Sequence, residues 1–134
     1  QTFMQGGSVV DPQPGTSLTP SKGDPSQSAV VAVEQFRMKY VFLAPDDYDV
    51  NYANIIVPVN TKVTLDGKTI STKALGITKS YGVLRVELGT GNNGRHTLTA
   101  DKRVGIQVLG YGSFTSYQYP GGLNLDRIAN APVN

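Results

Sequence analysis

The sequence predicts an all-β chain, an antiparallel β-sandwich, on three observations. Apolar residues recur at every second position rather than every third or fourth. Gly, Pro, Asn and Asp punctuate the chain at a spacing of about 8–12 residues, the rhythm of short strands joined by turns. No window carries a helical apolar stripe of useful length.

The first segment departs from this pattern. Residues 1–28 hold Pro12, Pro14, Pro20 and Pro25 among Gly, Ser, Thr and Gln. Such a composition buries too little surface to offset its ordering entropy, so an extended arm is expected there. Only Thr2 to Gln5 and Ser8 to Val10 have strand character, and the arm is expected to pair with a sheet edge, in cis or in trans. A chain that opens on Gln1 and enters strand-like residues at once is expected to be a mature product or a piece cut from something longer.

The sandwich domain is expected over residues 29–134. After the apolar run Ala29 to Val33, the residues Phe36, Met38, Tyr40 and Phe42 alternate with Arg37, Lys39, Val41 and Leu43, which predicts a strand with one buried face. Pro45 to Asp49 breaks it, and Tyr52 to Val57 forms the next strand, stopped by Pro58. Asp66-Gly67 between Thr61–Leu65 and Lys68–Ile70 predicts a hairpin, because a type I′ turn needs positive φ at both central residues. Val83–Leu88 and His96–Ala100 are expected to form a second hairpin across a Gly/Asn loop. Ala100 to Arg103 should then turn into a final strand, Val104 to Tyr111.

Composition excludes several functions. With no cysteine there is no disulfide, thiol nucleophile or Cys-based zinc site. A net charge of +2, with no cationic run beyond Lys102-Arg103, lacks the electrostatic footprint of a nucleic-acid binder. No apolar run approaches the roughly 18 residues that cross a bilayer, so membrane insertion is not expected.

One order of landmarks is specific. It runs Gly23-Asp24-Pro25-Ser26, Glu34-Gln35-Phe36, Tyr40 to Pro45, Asn51 to Ile56, Val63 to Gly67, and Gly94 to Leu98. It ends with Gly105 to Gly110 and Ser116 to Gly122. This order resembles the IgGFc-binding protein N-terminal domain family, of animal mucus proteins and many bacterial surface proteins, over roughly residues 1 to 125. The likeness is to the C-terminal portion of that domain in a bacterial-type surface protein. It implies a secreted or cell-surface, non-enzymatic module for adhesion. Its partner would be a protein or glycan of a surface or matrix, the rest of a parent chain, or a second copy. Immunoglobulin binding belongs to animal members and does not carry across.

The residues themselves offer few chemical sites. His96 is the single histidine, and no serine or acid is marked out as its triad partner, so no catalytic residue is assigned. It is expected to open a strand and bond into the preceding turn. Asp47-x-Asp49-x-Asn51, with Asp46 beside it, copies the start of a calcium loop. Tyr52 then stands where the loop needs glycine and Pro58 where it needs glutamate, so an EF-hand is excluded. An irregular calcium site is the weaker alternative to turn-capping carboxylates, and no cofactor is expected.

Tyr111, Phe114, Tyr117 and Tyr119 crowd the end of the last strand and are the candidate partner contacts, with Tyr48 and Tyr52 in another aromatic loop. The competing reading makes Tyr117 and Tyr119 corner pins whose hydroxyls bond the backbone. Gly105, Gly110 and Gly112 inside a strand predict bulges or close backbone approach. Three functions are consistent with these features: an adhesion module, a subunit of a polymeric surface layer assembled through the arm, or a secreted carbohydrate-binding accessory domain.

Overall fold

The computed structural model describes residues 2–5, 23–71, 78–89 and 94–123. Among them the strands are β1 (Thr2–Gln5), β2 (Ser26–Ala29), β3 (Arg37–Leu43), β4 (Val50–Pro58) and β5 (Val63–Leu65). They continue with β6 (Lys68–Thr69), β7 (Tyr81–Gly89), β8 (Arg95–Gly112) and β9 (Thr115–Pro120), and one 3₁₀ turn spans Val33–Gln35. Every pairing is antiparallel, so the chain is all-β as the sequence predicts, with the main sheet curled into a half-barrel.

The 18-residue β8 is the spine of the fold. Its first half lies between β3 and β5, and its second half between β4 and β9. Between the halves, Asp101, Lys102 and Arg103 are exposed and the register against β3 slips, from Lys39↔Thr99 to Arg37↔Val104. Extra residues on one strand of a ladder bend it and increase its twist. The turn expected at Ala100–Arg103 is thus a bulged bend in one continuous strand, held because Val63 of β5 still pairs with Ala100.

The sheet wraps a core of Tyr40, Phe42, Ala53, Ile55, Val57, Val63, Leu84, Leu88, Leu98, Val104, Ile106 and Val108. Strand β4 alternates buried and half-buried residues along its whole length, as a strand with partners on both edges does. Burying each large aliphatic of this set contributes about 1.5–3 kcal/mol. Tyr40 reaches across the bend: its hydroxyl donates to the Val104 carbonyl at 2.6 Å and accepts the Arg37 N–H at 3.0 Å. Burial pushes the Tyr40 phenol above its ordinary value.

The Asp66-Gly67 hairpin forms as predicted, with φ of 48° and 78° at the two turn residues and Leu65 paired to Lys68. Two other expectations are corrected. β7 and the start of β8 do not form a hairpin, because β4 lies between β7 and β8 and pairs with both. Alternation identifies a strand but not its neighbour, and here the long β4 outcompetes the local partner. Met38 is 49% exposed rather than buried, at the register shift between Arg37 and Lys39 where β3 has no regular partner on β8 to cover it. Val30 and Val33 are also exposed.

Contrary to expectation, the arm does not add to an edge of the main sheet but folds back on itself in a separate two-stranded sheet, because its own two β-rich ends pair with each other. Thr2 to Gln5 run antiparallel to Ser26–Ala29, with Thr2 opposite Ala29. The Gly23 N–H donates to the Gly112 carbonyl at 2.8 Å, and the Ser116 hydroxyl donates to the Asp24 carbonyl, tying this end of the arm to β9. Ser8 to Val10 lie outside the described residues.

Candidate functional site

β3 and β9 both flank β8, and an open groove of about 620 Å³ runs between them. Val41, Leu43, Pro45, Tyr48, Tyr119 and Pro120 form most of its wall. The β9 register opposes Tyr119 to Val108 and Tyr117 to Gly110, turning both rings toward the core side of the sheet. Glycine at 110 makes room for this: a Cβ there would lie 2.4 Å from Tyr117 Cε1 and 2.5 Å from Asn51 Oδ1. Gly105 does the same for Phe36, whose ring would meet a Cβ at 2.5 Å. Both positions are the close backbone approaches that the sequence predicts.

The tyrosine hydroxyls are spent inside the molecule. Tyr117 donates to Asn51 Oδ1 at 2.7 Å, and the amide of Asn51 (2% exposed) donates to the Pro45 carbonyl at 3.0 Å. The Tyr119 hydroxyl accepts the Leu43 N–H at 3.1 Å and donates to the Leu43 carbonyl. Tyr48 and Thr115 share a hydroxyl contact at 3.4 Å. The rings brace one another, with Tyr48 edge-on to Tyr117 at 4.7 Å and Tyr117 stacked on Tyr119 at 6.1 Å. Burial pushes the Tyr117 phenol far above its ordinary value, with the neighbouring tyrosines and Asp47 adding to it. Burial also raises Tyr119, against the opposing bond to Leu43. The Tyr117 and Tyr119 phenols thus stay neutral at physiological pH.

What remains for solvent is apolar. Val41 is 55% exposed and Leu43 63% exposed, at the outward positions of a strand where polar residues normally alternate. That was the missed signal: sequence reasoning placed both residues on the strand and left them without a role. Of the candidates it did name, Tyr117 and Tyr119 meet in the groove. Tyr111 is half-buried farther along β8, opposite Ser116. Phe114 is 67% exposed with φ of 54° on the β8–β9 turn, outside the groove.

The carboxylates after β3 do not converge. Asp46, Asp47 and Asp49 are exposed on their turn, whereas Asn51 is turned inward to Pro45 and Tyr117. Among the described residues no three acidic or histidine side chains gather as a metal site. His96 is buried, and its Nδ1–H donates to Asp66 Oδ2 at 2.7 Å, across to the β5–β6 turn rather than into its own. Phe42 stacks on its ring at 5.4 Å, and Nε2 is buried with no hydrogen-bond partner among the described residues. Partial burial pushes the Asp66 carboxyl up, but the bonds from His96 and the Thr97 N–H outweigh it and hold it below the usual value.

No helix among the described residues is long and apolar enough to cross a membrane. No curated protein and no solved structure matches the chain. A family model described as IgGFc binding protein matches residues 2–110, which takes in Val41, Leu43 and Tyr48 and ends before Tyr117 and Tyr119. With most of its length matched, and the landmarks on β3, β4, the Asp66 turn and β8 in order, the chain belongs to the IgGFc-binding protein family.

Proposed function

We propose that this chain is a non-catalytic binding module of a secreted or cell-surface protein, serving adhesion by holding a protein partner in the groove between β3 and β9. One observation carries the reading: exposed Val41 and Leu43 stand beside tyrosine rings whose hydroxyls are already bonded inward. A glycan is recognised through hydroxyl groups, and this groove turns its own hydroxyls away from it. Aromatic and aliphatic anchors with little outward polarity suit the buried centre of a protein interface. Membership in a family of binding domains supports the reading at a coarser level. The polymer-subunit reading is weakened by the pairing of β1 with β2 inside the chain, which occupies the strand that would be donated.

Retention on immobilised mucin, before and after enzymatic deglycosylation, tests the proposal together with a glycan array. Retention should survive deglycosylation and be lost in Leu43→Asp, which alters an exposed side chain and leaves the fold intact. Binding to array glycans, no retention on mucin, or retention indifferent to Leu43→Asp would overturn it.

A further inference from the structure

We infer that the partner enters the groove as an added β-strand, an extended apolar segment with acidic residues at one end, paired to the free edge of β3. This rests on the groove being the protein-binding face, and adds how it is filled.

Thr97 of β8 lies opposite Val41. Its N–H donates to Asp66 Oδ1 at 2.8 Å, and its carbonyl accepts the Asp66 N–H at 2.9 Å, so both point away from β3. Paired residues of an antiparallel ladder either exchange both bonds or turn both groups outward, and the two cases alternate along the strand. Val41 therefore turns its N–H and C=O away from β8, as do Lys39 and Leu43. Leu43 bears this out, since both its main-chain groups bond the Tyr119 hydroxyl. At the other end, the Arg37 N–H turns toward β8, where the Tyr40 hydroxyl bridges it to the Val104 carbonyl. Among the described residues β3 pairs only with β8. The edge is thus stoppered at its Leu43 end by the Tyr119 hydroxyl, and Val41 presents its main-chain groups toward the groove, with those of Lys39 beyond the groove's end.

Such an edge is a template for strand addition, with main-chain bonds giving affinity and alternate side chains giving specificity. Side chains of the added strand would lie over Val41, Leu43 and Pro120. Charge sets the rest of the chemistry. Arg37, Lys39 and Arg103 surround a second pocket of about 270 Å³ at the start of β3, and all three are exposed. Past the other end of β3 stand the exposed Asp46 and Asp47. An acidic-ended strand is attracted at one end and repelled at the other, which fixes its direction.

The test uses the whole chain, isotope-labelled, titrated with capped synthetic peptides and followed at the Lys39 and Val41 amides. The probes are Thr-Val-Thr-Val-Thr-Asp-Glu, the same peptide ending in Lys-Lys, and a fully N-methylated copy of the first. The acidic peptide should shift and protect both amides. The Lys-Lys peptide should bind about tenfold more weakly, the sum of two or three exposed ion pairs. The N-methylated copy should not bind, which tests main-chain pairing without altering the protein. Val41→Pro should abolish binding. Binding that survives N-methylation or Val41→Pro, or no response at Lys39 and Val41, overturns strand addition. Protection of Val41 that grows with protein concentration alone also overturns it, and assigns the edge to a second copy. If mucin retention is lost in Leu43→Asp while no peptide reaches Lys39 and Val41, the groove stands as the binding face and only the strand is refuted.

Discussion

The half-barrel has two open seams, and they are built from opposite materials. Between β3 and β9 the groove is lined by Val41, Leu43, Pro45 and tyrosine rings. Between the β5–β6 hairpin and β7 the smaller cleft, about 450 Å³, is lined by Asp66, Lys68, Thr69, Ser71 and Glu87 with a few apolar residues. Sheet edges invite unwanted pairing, and proteins blunt them with short strands and charges. β6 has two residues, and β7 carries exposed Arg85 and Glu87. β3 instead leaves aliphatic side chains at its edge and guards only its Leu43 end, with the Tyr119 hydroxyl. One seam is blunted by its charges, whereas the other leaves aliphatic side chains open to solvent.

Substitutions on the two sides should therefore cost stability by different routes. The largest effect is expected on the groove side. Gly110→Val would drive a side chain into Tyr117 and Asn51, which bond each other and have nowhere to retreat. Overpacking plus the lost bond should destabilise by about 3 kcal/mol in urea unfolding. A cost under about 1 kcal/mol would mean that the tyrosine cluster is loosely held. On the charged side, Gly67→Val has open space around it but a φ of 78°, so the cost is backbone strain alone. About 1–2 kcal/mol is expected, and an unchanged midpoint would contradict the type I′ turn.

Tyr119→Phe tests the stopper on β3. It leaves the Leu43 N–H and carbonyl without their partner but near solvent, so the loss should be about 1 kcal/mol. The telling readout is faster amide exchange at Leu43, and unaltered exchange there would contradict the stopper. Acid should weaken the charged seam first and mildly. The Asp66 carboxyl is held below its unfolded value near 3.9, so its contribution is full above about pH 4 and fades as pH falls through the folded value. Asp66→Asn should flatten that part of the stability profile. A profile identical to wild type would show that the His96 and Thr97 bonds do not stabilise the carboxylate.

Much of this contrast is local enough to read in the sequence. The Asp66-Gly67 turn follows from two adjacent residues, and the glycines of β8 announce backbone approach without naming what approaches. Alternation places the buried faces of β3 and β4 because one period decides each strand. What it does not carry is neighbour identity. The wedging of β4 between β7 and β8 depends on pairing between distant strands. So does the exposure of Met38, which lies where β8 bulges opposite β3. The groove was hidden for the same reason. Val41 and Leu43 become a surface once β9 has brought Tyr117 and Tyr119 beside them, a register that no local pattern encodes.

Hydrogen–deuterium exchange of the whole chain, with and without deglycosylated mucin, tests most directly which seam is the binding face. The groove account predicts protection over residues 37–48 and 117–122, with residues 63–71 and 85–88 unchanged. Protection confined to the β5–β6 hairpin and β7 would contradict it, and would move the binding face to the charged seam.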